Sequence, residues 1–420
     1  MERDWLASFD ALMNVIEDGA WSNKAINQSL FKFKGANAGF VQTLVKGTVR
    51  YLLFLDHRID LLAKHGIGSI RQRPLAVLRM AIYAIEKMDS VPDYAAVNEA
   101  VNLANKVCKG NSGFVNSVLR TYLRRKKELE EEAGHLSCSI RLSYPDRLAK
   151  MLLSQYPEDG MHVMESLNEV KPVCLRCNSM RIKRADLIDM LEAEGLECVQ
   201  DNETESGIIV FGGAPSENTM FKGGYYSIQS SSSIEAVEHF AVKPGHRVLD
   251  LCAAPGGKSA AMAEMMRNTG IIDAFDIYDH RVDLINANCH RLGINIINTE
   301  VRDATVYYDD LDGRYDFVLA DVPCSGIGVI SGKPEIKYKI KQDNIRALRE
   351  KQIKILKNAI GYAKRGGMVM YSTCTLNREE NEGVVQEVIK AFEFVEIIEK
   401  KLILPYNYKV GFYFCIMRVT

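Results

Sequence analysis

The sequence predicts a multidomain chain: an all-α bundle first, a small α+β segment next, and a C-terminal α/β domain on a mostly parallel, Rossmann-like sheet. Three observations predict it. At 420 residues the chain exceeds what one ordinary core organises. Apolar residues recur at helical spacing through the first 130 or so positions, with few β-branched alternations. From about residue 226 short apolar strands alternate with amphipathic helices, the pattern of parallel strands joined by crossover helices.

In residues 1–130, Leu6, Phe9, Leu12, Met13 and Ile16 mark one helical face. Val97, Ala100, Val101 and Ala104 mark a second, and Val115, Val118, Leu119 and Tyr122 a third. Pro92-Asp93 and Gly110-Asn111 punctuate the pattern as turns. The run Arg124-Arg125-Lys126-Lys127, followed by Glu128 and Glu130-Glu131-Glu132, reads as a solvated helix end. Residues 137–225 read as helices near 145–156 and 184–194 with strands near 173–177 and 207–211. In 226–420 the strand candidates are Arg247–Leu251, Ile271–Phe275, Asn298–Val301, Phe317–Ala320 and Met368–Tyr371. Helices near 257–267, 280–292, 342–364 and 377–391 fall among them.

With 47% apolar and 25% charged residues the composition is that of a soluble globular protein. No apolar run is long enough to span a bilayer, and Met1-Glu2-Arg3-Asp4-Trp5 does not open a signal peptide, so a cytoplasmic protein without a membrane partner is expected. Ten scattered cysteines fit reduced thiols rather than a disulfide framework. Cys174-x-x-Cys177 is the one close pair; it lacks a second ligand pair and alternates like a strand, so no metal is expected. A net charge of −1 leaves nucleic-acid binding to a local patch.

The stretch Val248-Leu249-Asp250-Leu251-Cys252-Ala253-Ala254-Pro255-Gly256-Gly257-Lys258-Ser259 reads as a strand, a tight loop and a helix start. Small residues and paired glycines let the backbone approach a ligand, and the helix start offers free N–H groups to an anionic group. A phosphate-binding P-loop is excluded, because the glycine it needs five residues before Gly257 is Cys252; the G-x-G-x-x-G fingerprint is absent as well. Asp276 follows the second strand, where a carboxylate accepts hydrogen bonds from ribose hydroxyls, and Asp303 follows the third. Asp321-Val322-Pro323-Cys324-Ser325-Gly326 follows the fourth strand and Ser372-Thr373-Cys374-Thr375 the fifth. In a doubly wound sheet both thiols then reach the crevice that holds the cofactor loop. A single buried cysteine is usually a small hydrophobe; two at strand ends, one near an aspartate, point to chemistry.

These motifs resemble the RNA cytosine-C5 methyltransferase family: Asp250–Ser259 its cofactor motif, Asp321–Gly326 its proline-cysteine motif, Thr373-Cys374 its threonine-cysteine motif. Ala95–Val101 followed by Gly113–Arg120 resembles a NusB-type helical domain. That fusion is similar to the bacterial RsmB (Sun) family, which acts on 16S ribosomal RNA. The resemblance implies a class I methyltransferase domain over 226–420, a NusB-like RNA-binding domain over 1–130 and an RNA-positioning segment over 137–225. It implies S-adenosylmethionine as cofactor, held by Cys252, Ala253, Ala254, Pro255, Gly256, Gly257 and Lys258, with Asp276 and Asp303 on its ribose and adenine, Arg281 on the cofactor side and Asp321 beside it. Cys374 would attack carbon 6 of the base, Cys324 would assist release, and Lys258 and Asp321 would line the base site. The chemistry explains the thiol: carbon 5 of cytosine is a poor nucleophile until a thiolate adds at carbon 6 and makes it an enamine carbon. The base must also be unstacked, which favours looped RNA.

The expected partner is therefore 16S ribosomal RNA, bound by a monomer. The motifs leave open transfer RNA, a DNA methyltransferase that would use Cys324, and a non-catalytic NusB-like RNA-binding protein. Two stretches depart from the family: Tyr226–Ser231 carries Ser230 where an acid is usual after glutamine, and Lys409-Val410-Gly411 lacks the usual aspartate. For RNA contact the sequence offers Lys333-Pro334-Glu335-Ile336-Lys337-Tyr338-Lys339, basic and aromatic together. Arg176, Arg181, Lys183 and Arg184 are further candidates, as are Arg71, Arg73 and Arg79.

Overall fold

The computed structural model describes residues 1–420, which divide into two compact units. One comprises Met1–Asn168 and Gly332–Lys339; the other comprises Glu169–Ser331 and Ile340–Thr420.

The first unit is helical throughout. Its axis is the helix Gln72–Lys87, buried on every side from Pro74 to Ile85. A helix apolar all round belongs in the middle of a bundle. Glu2–Ile16, Ala38–Arg50 and Asp93–Val107 are among the helices that pack on it or on one another. Gly47 is required here, since a Cβ would fall 1.9 Å from the ring of Tyr83. Arg79, one of the RNA candidates, is buried and forked onto Asp56 at 2.6 and 2.8 Å, so it braces two helices and faces no ligand; Arg71 and Arg73 are exposed. The short helices Cys138–Arg141, Asp146–Gln155 and Gly160–Asn168, read from sequence as part of the middle segment, pack in this unit. Ser143 ties them in, its Oγ accepting from the Leu53 amide at 2.7 Å.

The basic segment 332–339 is also not the surface loop its composition suggests. Lys337 is buried, its ammonium donating to the carbonyls of Arg50 (3.0 Å), Leu142 (3.2 Å) and Ser143 (3.1 Å) and to Asn168 Oδ1 (2.6 Å). Those acceptors sit at the C-terminal ends of three helices, Ala38–Arg50, Cys138–Arg141 and Gly160–Asn168, where the negative ends of the helix dipoles meet. Glu335 is buried too and accepts from the Ser22 amide at 2.8 Å, while Lys339 caps Gly19 at 2.6 Å. Only Lys333 of the four charged residues is exposed.

The second unit carries two sheets. Strands β1 (Val173–Cys177), β2 (Glu197–Gln200), β3 (Gly207–Phe211) and β4 (Tyr226–Ile228) form an antiparallel sheet of order β2-β3-β1-β4. Cys174 and Cys177 lie on β1 as free buried thiols. The larger sheet contains β5 (Arg247–Asp250), β6 (Ile271–Asp276), β7 (Ile297–Val301), β8 (Tyr315–Asp321), β9 (Ala363–Thr373), β10 (Val395–Ile403) and β11 (Phe412–Val419). Its order is β10-β11-β9-β8-β5-β6-β7; β5 to β9 run parallel, and β11 is antiparallel to both β9 and β10. The strand order reverses between β5 and β8, which places a ligand crevice at their carboxyl ends. No helix is long and apolar enough to cross a membrane.

Candidate active site

The cofactor loop leaves the buried end of β5 at Asp250 and enters the helix Gly257–Met265. Gly256 makes the turn possible: its φ of 96° lies in the left-handed region, and a Cβ there would also press on Ile285 at 3.2 Å. Ser259 donates to Asp250 Oδ2 at 2.6 Å, whereas Oδ1, equally buried, has no partner. Burial pushes the Asp250 carboxyl up to about 7 against the Ser259 hydrogen bond, and the nearby Asp321 charge adds to it.

A raised folded-state value means that the folded chain binds this proton more tightly than the unfolded chain, where the value is roughly 3.9. The stability that follows is complete below that value and is lost as pH rises through about 7. Asp250→Asn should remove this term. Urea midpoints measured at pH 4, 5.5 and 7.5 should fall with pH in the unmodified protein relative to the variant. A constant difference across that range would refute the assignment.

Arg176 fastens the start of the same helix. Its guanidinium forks onto Glu264 at 2.8 and 2.9 Å, donates to the Gly257 carbonyl at 2.6 Å and meets Gln229, all in the interior. This corrects its reading as an RNA contact and gives Gln229, in the stretch that departs from the family pattern, a place one residue from Lys258. Arg181 and Lys183 are exposed, and Arg184 holds the carbonyls of Asp201 and Thr204.

On the opposite flank, Asp276 ends β6 fully buried and pairs with Arg281 at 3.0 Å; Arg281 also donates to the Ala254 carbonyl at 2.9 Å. The pair therefore joins the end of β6 to the cofactor loop. Asp303 is half-buried beyond β7, where Oδ1 accepts from the amide and hydroxyl of Thr305 at 2.9 and 2.7 Å. No hydrogen bond ties it to the other candidates. Burial raises the Cys252 thiol well above its ordinary range, helped by Asp250, Asp321 and Asp276, so it stays protonated within the loop.

Asp321 closes β8 and accepts from Lys258 Nζ at 2.7 Å through one oxygen and from Ser372 Oγ at 2.7 Å through the other. Burial opposes the Lys258 charge, but Asp321 beside it outweighs burial and holds the ammonium above its ordinary value. The two cysteine loops then meet: Cys324 Sγ and Cys374 Sγ lie 3.3 Å apart, both half-buried. Gly328 N donates to the Cys374 carbonyl at 3.0 Å and Ser325 Oγ shares a hydrogen bond of 2.7 Å with Thr375. Gly328 and Gly411 approach so closely that a Cβ on the first would fall 2.0 Å from the Gly411 carbonyl. Glu380, wholly buried, accepts from Ser325 N (2.8 Å), Gln352 (3.1 Å) and Asn377 (3.1 Å). Sequence reading named Ser372 only as part of the cysteine motif and missed Glu380 and Gln352; the polar run Asn377–Asn381, which begins three residues after Cys374, marks the segment that carries Glu380.

A switch-point crevice at the end of β5, beside a loop of small residues and the Asp276–Arg281 pair, fits S-adenosylmethionine and defines a methyltransferase of the Rossmann-like class. Residues 237–418 match the family described as 16S rRNA methyltransferase RsmB/F, residues 5–124 the NusB family, and residues 144–216 its RsmF/B-like ferredoxin-like domain. A probable ribosomal RNA small subunit methyltransferase B of Bacillus subtilis is 33% identical, aligned over 98% of this chain and 97% of its own length. A mouse 28S rRNA (cytosine-C(5))-methyltransferase is 33% identical over 65% of this chain and 36% of its own. The crystal structure of a methyltransferase homologue from Pyrococcus horikoshii superposes with a TM-score of 0.61 at 26% identity, covering 67% of this chain and 98% of that one. The chain belongs to the RsmB/F family and is an S-adenosylmethionine-dependent ribosomal RNA methyltransferase.

Proposed function

We propose that the protein methylates carbon 5 of a cytidine in 16S ribosomal RNA through a covalent bond between Cys374 and carbon 6. The observation that carries this reading is the pair of thiols 3.3 Å apart beside the Lys258–Asp321 pair. Methyl transfer to oxygen or to an exocyclic nitrogen needs no thiol; transfer to an unactivated ring carbon does. The name of the mouse relative adds support for carbon 5, and those of the bacterial relatives for the small-subunit RNA.

Bound S-adenosylmethionine supplies the electrophilic methyl group. Cys374, as thiolate, adds to carbon 6; the electron pair of the 5,6 double bond moves into the ring and then from carbon 5 to the methyl carbon, whose bond to the sulfonium sulfur breaks with its pair left on sulfur as a neutral thioether. Asp321 accepts from the exocyclic amino group, and Lys258 offsets the negative charge that builds on the ring. Loss of the carbon 5 proton to a base re-forms the double bond and expels Cys374, with Cys324 assisting that release. Asp276 and Arg281 hold the ribose side of the cofactor, residues 252–257 its methionine end, and Asp303 its adenine. The N-terminal helical unit positions the folded RNA.

The test uses 16S ribosomal RNA transcribed with cytidine tritiated at carbon 5. Each methyl group transferred should release one tritium to water, while transfer RNA and DNA carrying the same label release none. Methyl transfer without tritium release would overturn carbon 5 as the target, and release from transfer RNA instead would overturn the substrate.

A further inference from the structure

We propose that Glu380 is the positioning residue that makes the two thiols unequal, keeping Cys324 as the proton-bearing partner while Cys374 carries the reactive sulfur. The proposal rests on the reading that Cys374 attacks. What calls for it is symmetry: both cysteines stand at the carboxyl edge of the sheet, half-buried and in mutual contact, and strand-end position alone assigns them no order.

The charges around them are not symmetrical. Glu380 is a wholly buried carboxylate whose neighbours are neutral donors: the Ser325 amide, one residue from Cys324, with Gln352 and Asn377. Three N–H groups satisfy its oxygens, and none of them carries a charge that would offset a carboxylate's. Gln352 reaches the Pro323 carbonyl as well, at 2.9 Å, so the same contact web fixes the backbone on both sides of Cys324. A thiolate at Cys324 would form next to that carboxylate. Cys374 instead interacts electrostatically with Lys258, the ammonium on the helix Gly257–Met265. The hydrogen bond that Cys324 gives to Cys374, then burial and the charge of Cys374, push the Cys324 thiol well above its ordinary range, and Glu380 adds to them. The other ionisable groups facing the pair do not reverse this order. Asp321, at the end of β8, is neutralised by Lys258; Tyr371 of β9 donates to the Glu380 carbonyl at 2.6 Å; Tyr413 of β11 and Arg349 of the helix Gln342–Tyr362 act on Tyr371. A buried anion beside one thiol, with the other beside an ion pair that carries no net charge, is a device for splitting two like groups into an acid and a nucleophile.

Alkylation reads the two sulfurs separately. A thiolate displaces iodide from iodoacetamide, forming the S–C bond as the C–I bond breaks, and its proton is left with the buffer. The full chain, without cofactor or RNA, is treated from pH 6 to 10, and carbamidomethyl groups at Cys324 and Cys374 are counted by peptide mass spectrometry. In the unmodified protein Cys374 should react first, with Cys324 slow until the alkaline end. Glu380→Gln, which keeps the acceptor for Ser325 and removes the charge, should speed Cys324 at pH 8 by about tenfold, one pKa unit. Glu380→Asp should restore the slow rate. An unchanged Cys324 rate in Glu380→Gln, with the cooperative thermal transition retained, would overturn the proposal. So would a Cys324 midpoint in the unmodified protein at or below that of a free thiol, a result that holds even if the variant does not fold. A Cys324 that outpaces Cys374 in the unmodified protein would instead overturn the choice of nucleophile and leave the effect of Glu380 to be read from its variant.

Discussion

Cys374→Ala should reduce methyl transfer to ribosomal RNA by roughly 10⁴-fold or more, the scale on which enzymes lose rate when a covalent nucleophile is removed. The expectation follows from the chemistry of the ring, because carbon 5 lacks a nucleophilic electron pair until a thiolate adds at carbon 6. In the proposed mechanism Asp321 and Lys258 stabilise charge; they do not create it. The variant should also form no RNA–protein bond that survives denaturing electrophoresis. Cofactor affinity should hold, because the backbone of the loop Cys252–Ser259 is fastened by hydrogen bonds from Arg176, Arg281 and Asn288. Isothermal titration with S-adenosylmethionine and single-turnover transfer separate the two. Retained transfer with lost binding would invert the assignment.

Cys324→Ala should have the second largest effect, of a different kind. With Cys374 intact the thiolate still adds and the methyl group still moves, so one equivalent of product forms on the protein. Release then stalls, and a covalent complex of RNA and protein should accumulate, stable to denaturant and dependent on cofactor. Steady-state turnover should fall by about 10²-fold, the usual cost of losing a positioned acid or base. The removed thiol lies 3.3 Å from the sulfur of Cys374. A variant that turns over normally and shows no trapped complex would remove Cys324 from the release step.

Much of this site could be read from the chain because its parts sit at strand ends. Asp250, Asp276, Asp321 and Cys374 each lie at or just beyond the last residue of a strand, and an apolar run followed by a small or polar residue is visible in one dimension. The β10–β11 hairpin was not legible for the opposite reason. β10 alternates half-buried residues with exposed ones, Glu396, Ile398 and Lys400, as far as Lys400, while β11 is apolar from Phe412 to Met417, a run that a helix would also tolerate. Charge was the least legible property. Arg79, Arg176 and Lys337 look in sequence like any surface cation, and what buries them is a set of acceptors far away in the chain: Asp56, Glu264, and the carbonyls of Arg50, Leu142 and Ser143. Glu380 was hidden likewise, since nothing local distinguishes it from Glu379, its solvent-facing neighbour.

The burial of Lys337 bears on how such a gene can be cut and rejoined. The chain leaves the catalytic unit after Ser331, contributes Gly332–Lys339 to the helical one, and returns at Ile340. A truncation at residue 168 therefore does not divide the protein into two finished halves. The catalytic remnant would expose a peptide whose lysine and glutamate are shaped to be inside, and the excised bundle would keep three helix termini aimed at a missing ammonium. A helical module grafted from another protein would need the same oxygen cage, at the same place, to receive it. Residues 332–339 therefore have to travel with the helical bundle in any exchange of modules.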